Sequence, residues 1–203
     1  MSTGICGIIL AAGESTRMGR DKALLPWPTD STSSTLLSTT IRAFSDSSDF
    51  VLVVVGGNEL ALAPVVFGEG AFLVRNPQPE RGQFSSMQTG LQEVLNRGRD
   101  IAMITLVDRP PPRPETLTQL VDAFSTRDHS TWAVIPEYQG KHGHPILVGR
   151  ELIEALLRVP ATSTARDILH ANQPHILYVK VEDPFVTQNI NTPQEYLDLQ
   201  GER

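Results

Sequence analysis

Cysteine is almost absent from this 203-residue chain: only Cys6 occurs, inside an apolar run. A single thiol excludes a disulfide framework and a zinc site built from several cysteines. Long apolar stretches are missing too. The run over residues 5–12 is too short to span a bilayer and ends at Gly13-Glu14-Ser15-Thr16-Arg17. No membrane helix or secretory leader is therefore expected, and the protein reads as cytoplasmic. Nor is positive charge in excess. Lys and Arg number 17 against 23 Asp and Glu, a net charge of -6. That balance argues against nucleic acid as the main partner, because a phosphate backbone calls for a clustered basic surface. It leaves room for a small phosphorylated ligand in a local basic pocket. No internal repeat is visible.

Hydrophobic residues make up 40% and charged residues 20%, the balance of a globular protein. A single domain over residues 1–203 can bury a core of useful size without staples. Residues 5–11, 50–55, 71–74, 101–106 and 132–135 read as buried strands. Residues 35–45, 84–96 and 114–124 have helical spacing, the last opening on Pro114 where a helix tolerates proline. Alternation of this kind implies crossover units: an α/β fold of Rossmann-like, three-layer α/β/α type with a mostly parallel central sheet. After residue 135 the rhythm changes. A turn at 138–143 leads to an extended run at 145–148, helices at 151–159 and 163–171, a strand at 176–181 and a closing helix at 193–199. The Ser/Thr-rich stretch 29–35 reads as a flexible surface loop.

The segment Leu10-Ala11-Ala12-Gly13-Glu14-Ser15-Thr16-Arg17-Met18-Gly19-Arg20-Asp21-Lys22 follows the first strand. Small residues there let backbone amides approach phosphate oxygens, and Arg17 and Lys22 supply matching charge. The spacing is neither a Walker loop nor a dinucleotide fingerprint. A glycine turn carrying two solvated cations fits the spacing equally well.

Other places invite chemistry. Ser85 or Ser86 near a helix start would cap free amides, which also suit an anion. Asp108 ends the strand at 101–106, where open α/β sheets display ligands, and could hold magnesium or simply form a turn. His142 and His144, one residue apart, make a poor zinc site; His142 is expected on the surface. Asn191 or Thr192 would cap a helix beginning at Pro193.

These blocks together resemble the MobA-like NTP transferases. The carriers are Leu10 to Lys22 with its continuation Ala23-Leu24-Leu25-Pro26-Trp27, Gly82-Gln83-Phe84-Ser85-Ser86, Leu106-Val107-Asp108-Arg109-Pro110, Gly143-His144-Pro145, and Asn189-Ile190-Asn191-Thr192-Pro193. The resemblance implies a sheet of the nucleotide-diphospho-sugar transferase type. The backbone of Leu10, Ala11, Ala12 and Gly13 would meet base and ribose, with Gly82 and Ser86 at the base. Arg17 and Lys22 would hold the triphosphate. Asp108 would bind Mg²⁺, or Mn²⁺, with Asn191 supplying a neutral oxygen where the family usually has Asp. Arg109 and His144 would face the acceptor substrate. Relatives with Leu-Ala-Ala-Gly tend to use CTP, and the later blocks resemble molybdopterin cytidylyltransferases.

The resemblance thus implies attack by an acceptor phosphate on the α-phosphorus of CTP, giving molybdopterin cytosine dinucleotide and pyrophosphate. Catalysis would rest on Arg17, Lys22, Asp108 and the metal. Partners would be the NTP, a phosphorylated small molecule and a molybdoenzyme apoprotein, without nucleic acid or membrane. Two alternatives stand beside it. One is the same transfer onto methylerythritol phosphate or a sugar phosphate. The other is a non-catalytic cofactor-binding maturation factor, which the two Asn residues favour.

Overall fold

The computed structural model describes residues 4–13, 21–28 and 31–199. Arg17 lies outside the described residues. Strand β1 (Ile5–Leu10) is buried throughout and sits in the middle of the sheet. Strands β2 (Phe50–Val55), β3 (Phe72–Arg75) and β4 (Ile101–Leu106) run parallel to it, β2 and β3 on one side and β4 on the other. The chain therefore reverses its direction of growth between β1 and β4, the crevice where open α/β sheets bind ligands.

Beyond β4 the order departs from simple alternation. Strand β7 (Ile146–Gly149) inserts antiparallel between β4 and β5 (Ala133–Tyr138). The expected turn at 138–143 is a hairpin: β6 (Lys141–His142) pairs with β5 across Gln139 and Gly140, whose φ values are 48° and 74°. Strand β8 (Ile176–Lys180) pairs parallel with β5. The sheet is mostly parallel, as expected.

Helices cover both faces. On one face α1 (Leu36–Ser45), α2 (Glu59–Gly68) and α4 (Pro114–Ser125) bury Leu37, Ile41, Phe44, Leu62, Leu117 and Phe124 against the sheet. On the other, α3 (Gln83–Asn96), α5 (Arg150–Arg158) and α6 (Ala165–Ala171) bring Met87, Leu91, Leu152 and Leu156. Each fully buried leucine of this kind contributes roughly 2 kcal/mol. Helix α2 carries Pro64 and is apolar all round, burying Leu62 and Val66 while Leu60 and Phe67 face outward. That composition hides helical periodicity, which explains why spacing alone does not find it.

A smaller apolar cluster joins the two ends of the site. Leu25, Trp27 and Leu36 pack with Ile190, Tyr196 and Leu199, and Tyr196 Oη donates to the Pro26 carbonyl at 2.6 Å. The closing helix α7 (Pro193–Asp198) is thereby pinned beside the segment after Lys22. In the Ser/Thr-rich loop, residues 29 and 30 lie outside the described residues; the rest is closed by a bridge between Pro26 and Thr35 and by Ser34 N donating to Ser31 Oγ at 2.8 Å. Among the described residues no helix is long and apolar enough to cross a membrane.

Candidate active site

Strand register builds the site. Leu10 pairs with Val54 on one side and Leu106 on the other, so β1, β2 and β4 end side by side. The first residues past those ends stay tied together: Ala11 N donates to Val54 O at 2.8 Å, and Val107 N donates to Leu10 O at 3.0 Å. A cleft of about 320 Å³ opens here. Leu10, Ala12, Gly13, Lys22, Gly82, Ser86 and Asp108 all line it, with Gln83 among their neighbours. These are the residues singled out in the sequence, converging from separate loops.

Ala11 is the exception. Its amide is spent on Val54, its carbonyl accepts from Asn58 Nδ2 at 2.9 Å, and its side chain belongs to the core. The backbone bonds of Ala11 are thus made within the protein, and this residue anchors the loop. Asn58 does more of the same work. It donates to Asp21 Oδ2 at 2.6 Å and accepts from Gly56 N at 3.1 Å, fastening both ends of the loop that joins β1 to Lys22.

Asp21 caps the short 3-10 turn Lys22–Leu24, accepting from Ala23 N at 3.0 Å, and this aims Lys22 inward. Lys22 is 8% exposed. Its Nζ stands 3.7 Å from Asp108 Oδ2 and donates to Asn191 Oδ1 at 3.4 Å. A buried ammonium needs such partners, because desolvating it alone costs several kcal/mol, on the order of that expected for any lone ion. Asp108 Oδ1 is buried with no hydrogen-bond partner among the described residues. The Asp108 carbonyl accepts from Ile190 N at 2.7 Å, which brings Asn191 alongside. At helix α7 it is Thr192 that caps, in a box with Glu195. Asn191 is thus left to face Lys22.

Neither serine caps α3, a correction to the capping expectation. The cap position is Gly82, with φ 93° and no side-chain bond, and Ser85 and Ser86 are held instead by Asn76.

A second cavity, about 820 Å³, adjoins the first across Gln83 and is lined by Arg109, His142, His144, Arg166 and Tyr178. Arg109 Nη1 donates to Val186 O at 3.2 Å, but its Nε is buried and unpartnered among the described residues. Burial draws the Arg109 guanidinium below its ordinary pKa, partly opposed by the Asp108 carboxylate. His144 N donates to Val186 O at 2.8 Å, and its Nδ1 is likewise buried without a partner among the described residues. Burial, and then the charge of Arg109, push His144 down to about 3. Its ring is therefore neutral near pH 7. Gly143 is glycine for a steric reason: a Cβ there would lie 2.2 Å from the Val186 carbonyl oxygen. The Val186 turn is itself moored by buried Asp183, which accepts from Arg113 N, Thr116 Oγ1 and Phe185 N.

His142 is half-exposed, as expected, yet its ring also stacks on Tyr178 with centroids 3.8 Å apart. No group of three His, Cys, Asp or Glu able to hold a metal occurs among the described residues. Asn58, Asn76 and Gln83 escaped sequence reasoning. The available signal was an Asn just after a strand in Gly56-Gly57-Asn58 and Asn76-Pro77, the residue type that ties backbone at strand ends.

A cleft carrying Lys22 and Asp108 thus lies at the crevice of a doubly wound sheet and adjoins a second cavity carrying two arginines. The chain matches the MobA-like NTP transferase domain over residues 7–176 and belongs to that family of nucleotidyltransferases. It is 28% identical to the molybdenum cofactor cytidylyltransferase of Escherichia coli K12 over 196 residues, 94% of this chain and 92% of the relative. It is 32% identical to a probable molybdenum cofactor guanylyltransferase of Mycobacterium avium over 193 residues, with coverage of 94% and 92%. Among solved structures, Rv0371c of Mycobacterium tuberculosis H37Rv superposes with a TM-score of 0.80 at 25% identity, covering 99% of both chains.

Proposed function

We propose that this chain transfers CMP from CTP to molybdopterin, forming molybdopterin cytosine dinucleotide and releasing pyrophosphate. One observation carries the two-substrate reading. Asp108, Arg109 and His144 each carry a buried polar atom left unsatisfied among the described residues (Oδ1, Nε and Nδ1), and these three residues line the two adjoining cavities. Native interiors rarely leave such groups unpaired, so unspent hydrogen bonds in a cleft point to ligands.

The nucleotide takes the smaller cleft, against Leu10, Ala12, Gly13, Gly82 and Ser86, with Lys22 and Arg17 on its phosphates. The acceptor phosphate takes the junction with the larger cavity, where Arg109 and neutral His144 each donate one hydrogen bond. A phosphate monoester has its second pKa at about 6, so its oxygen can attack the α-phosphorus without a protein base. His144, held neutral, orients and does not abstract. Lys22 and Arg17 stabilise charge on the departing pyrophosphate, a contribution worth roughly a hundredfold or more in turnover per group.

Mg²⁺, or Mn²⁺ in its place, suits the residues present. Asp108 Oδ1 offers an unused carboxylate oxygen and Asn191 Oδ1 a neutral one, and such ions take most of their remaining ligands from phosphate and water. When bound, the ion neutralises triphosphate charge. Support for CTP comes from Ala12, which lines the cleft at a position where relatives preferring GTP tend to carry glycine. The two relatives themselves differ in nucleotide, so they do not choose the base.

Asn191, standing where a second carboxylate is usual, favours a second reading: a factor that holds the nucleotide-bearing cofactor for a molybdoenzyme apoprotein without turnover. Pyrophosphate release, measured with CTP, GTP and UTP against molybdopterin, methylerythritol phosphate and sugar phosphates in the presence of Mg²⁺ or Mn²⁺, decides. Release with CTP and molybdopterin alone supports the transferase. Cofactor binding with no release under any pairing supports the second reading.

A further inference from the structure

The hydrogens around Asn76 can be counted. Asn76 is 2% exposed and sits just beyond β3, where its own amide donates to Val55 O at 2.9 Å. Its side-chain oxygen accepts from Gln78 N at 2.9 Å. That bond fixes which end of the amide is oxygen, since a backbone N–H can only donate. Both remaining hydrogens lie on Nδ2, and both are spent: one on Ser85 Oγ at 2.9 Å, the other on Ser86 Oγ at 3.0 Å. Ser85 then passes its own proton to the Gly82 carbonyl at 2.7 Å. Its capacity is closed. Ser86 accepts from Asn76 but donates to nothing among the described residues, although it is 3% exposed. It lines the smaller cleft. One hydroxyl proton is left over, and it belongs to the residue at the cleft wall.

We propose that Asn76 is the positioning residue that biases the hydrogen-bond polarity of the nucleotide cleft, by turning the Ser86 hydroxyl proton towards an acceptor atom of the bound nucleotide. A hydroxyl can ordinarily donate or accept as its ligand requires. Asn76 fills one of the two lone pairs of Ser86 and keeps its proton turned away from Nδ2, so an acceptor atom in the cleft meets that proton directly while a donor must first turn it aside to reach the remaining lone pair. Selection of this kind acts through a hydrogen bond gained or lost at a buried hydroxyl. This proposal rests on the reading that nucleotide occupies the smaller cleft.

The test is the near-isosteric variant Asn76→Asp, with Ser86→Ala and the double variant. A carboxylate still accepts from Gln78 N but cannot donate to the serines, so the Ser86 proton turns inward. Calorimetric titration of each protein with CTP and with GTP, in Mg²⁺, gives the readout, and thermal unfolding checks that each variant is folded. Asn76→Asp is expected to weaken binding of the preferred nucleotide about 10- to 100-fold. Ser86→Ala should weaken it by a similar factor, and the double variant should be little worse than either. Asn76→Asp binding as tightly as wild type overturns the proposal. So do fold-losses that multiply in the double variant, because Asn76 would then act independently of Ser86. If wild type binds no nucleoside triphosphate, the parent reading of the cleft fails instead, and the proposal with it.

Discussion

The ammonium of Lys22 stands 3.7 Å from a carboxylate oxygen of Asp108, and the other oxygen of that carboxylate meets no protein group among the described residues. The pair is loose and set at the cleft mouth, with the Asp108 side chain 30% exposed. When the pair opens, Asn191 Oδ1 remains a partner for the buried ammonium. A triphosphate offers Lys22 a stronger partner and frees the carboxylate for a cation.

Asp108→Asn should accordingly abolish metal-dependent turnover, by a hundredfold or more on the oxyanion-donor scale, while the melting temperature moves by only a few degrees. Lys22→Met, which keeps the buried stem, should weaken NTP binding far more than Lys141→Ala, since Lys141 is exposed on β6. Equal effects of the two lysine changes would remove Lys22 from the triphosphate site.

Asn191→Asp restores a second carboxylate beside Lys22 and Asp108 and adds one negative charge where a divalent cation would sit. The metal concentration for half-maximal pyrophosphate release should fall about tenfold, because charge count tunes the affinity of hard-cation sites. Titrating Mg²⁺ against initial rate in both proteins checks this. An unchanged half-saturation would place the ion away from residue 191.

That Asp108 and Ser86 converge on one cleft is legible in the sequence, and the reason is local. Asp108 follows a plain strand and Ser86 lies in the first turn of a plain helix, and parallel strands with level ends bring such residues together. What stayed hidden depends on contacts that no local pattern encodes. Asn58 and Asn76 look like ordinary loop residues until their amides are seen to tie β1, β2 and α3 together. Ala11 shares the composition of its neighbours but faces the core. Strand β7 gives no warning that it will insert antiparallel beside β4, because a short apolar run carries no sign of direction.

His144 gives the fold a measurable acid sensitivity. Its folded-state pKa is pushed to about 3, below the ordinary 6.5, so the unfolded chain binds this proton first as pH falls. Stability is full above pH 6.5 and declines towards pH 3, by up to about 1.4 kcal/mol per pH unit. Urea unfolding at pH 6.5 and pH 5.0 should show wild type losing up to about 2 kcal/mol more than His144→Gln over that interval. The kcat–pH profile of His144→Gln should keep its shape, because the imidazole orients the acceptor without exchanging a proton. A new or vanished limb near neutral pH would contradict that role.

Gly143→Ala probes the acceptor side without touching a charged group. The added methyl would lie 2.2 Å from the Val186 carbonyl oxygen and 2.6 Å from its carbon, so backbone must move. Overpacking of this kind costs typically 1–3 kcal/mol. The same carbonyl accepts from Arg109 Nη1 and from His144 N, so displacing it disturbs both proposed acceptor-binding residues together. The nucleotide cleft, built from the opposite loops, should be spared. Calorimetry is therefore expected to show CTP affinity within about threefold of wild type, while kcat/KM for the acceptor falls by on the order of a hundredfold, near the loss of one or two oriented donors. Gly57→Ala, where a Cβ meets nothing within 4 Å, serves as the matched control and should leave both values unchanged. Were Gly143→Ala to weaken CTP and acceptor alike, the two cavities would have to be read as one site with no separate seat for the second phosphate.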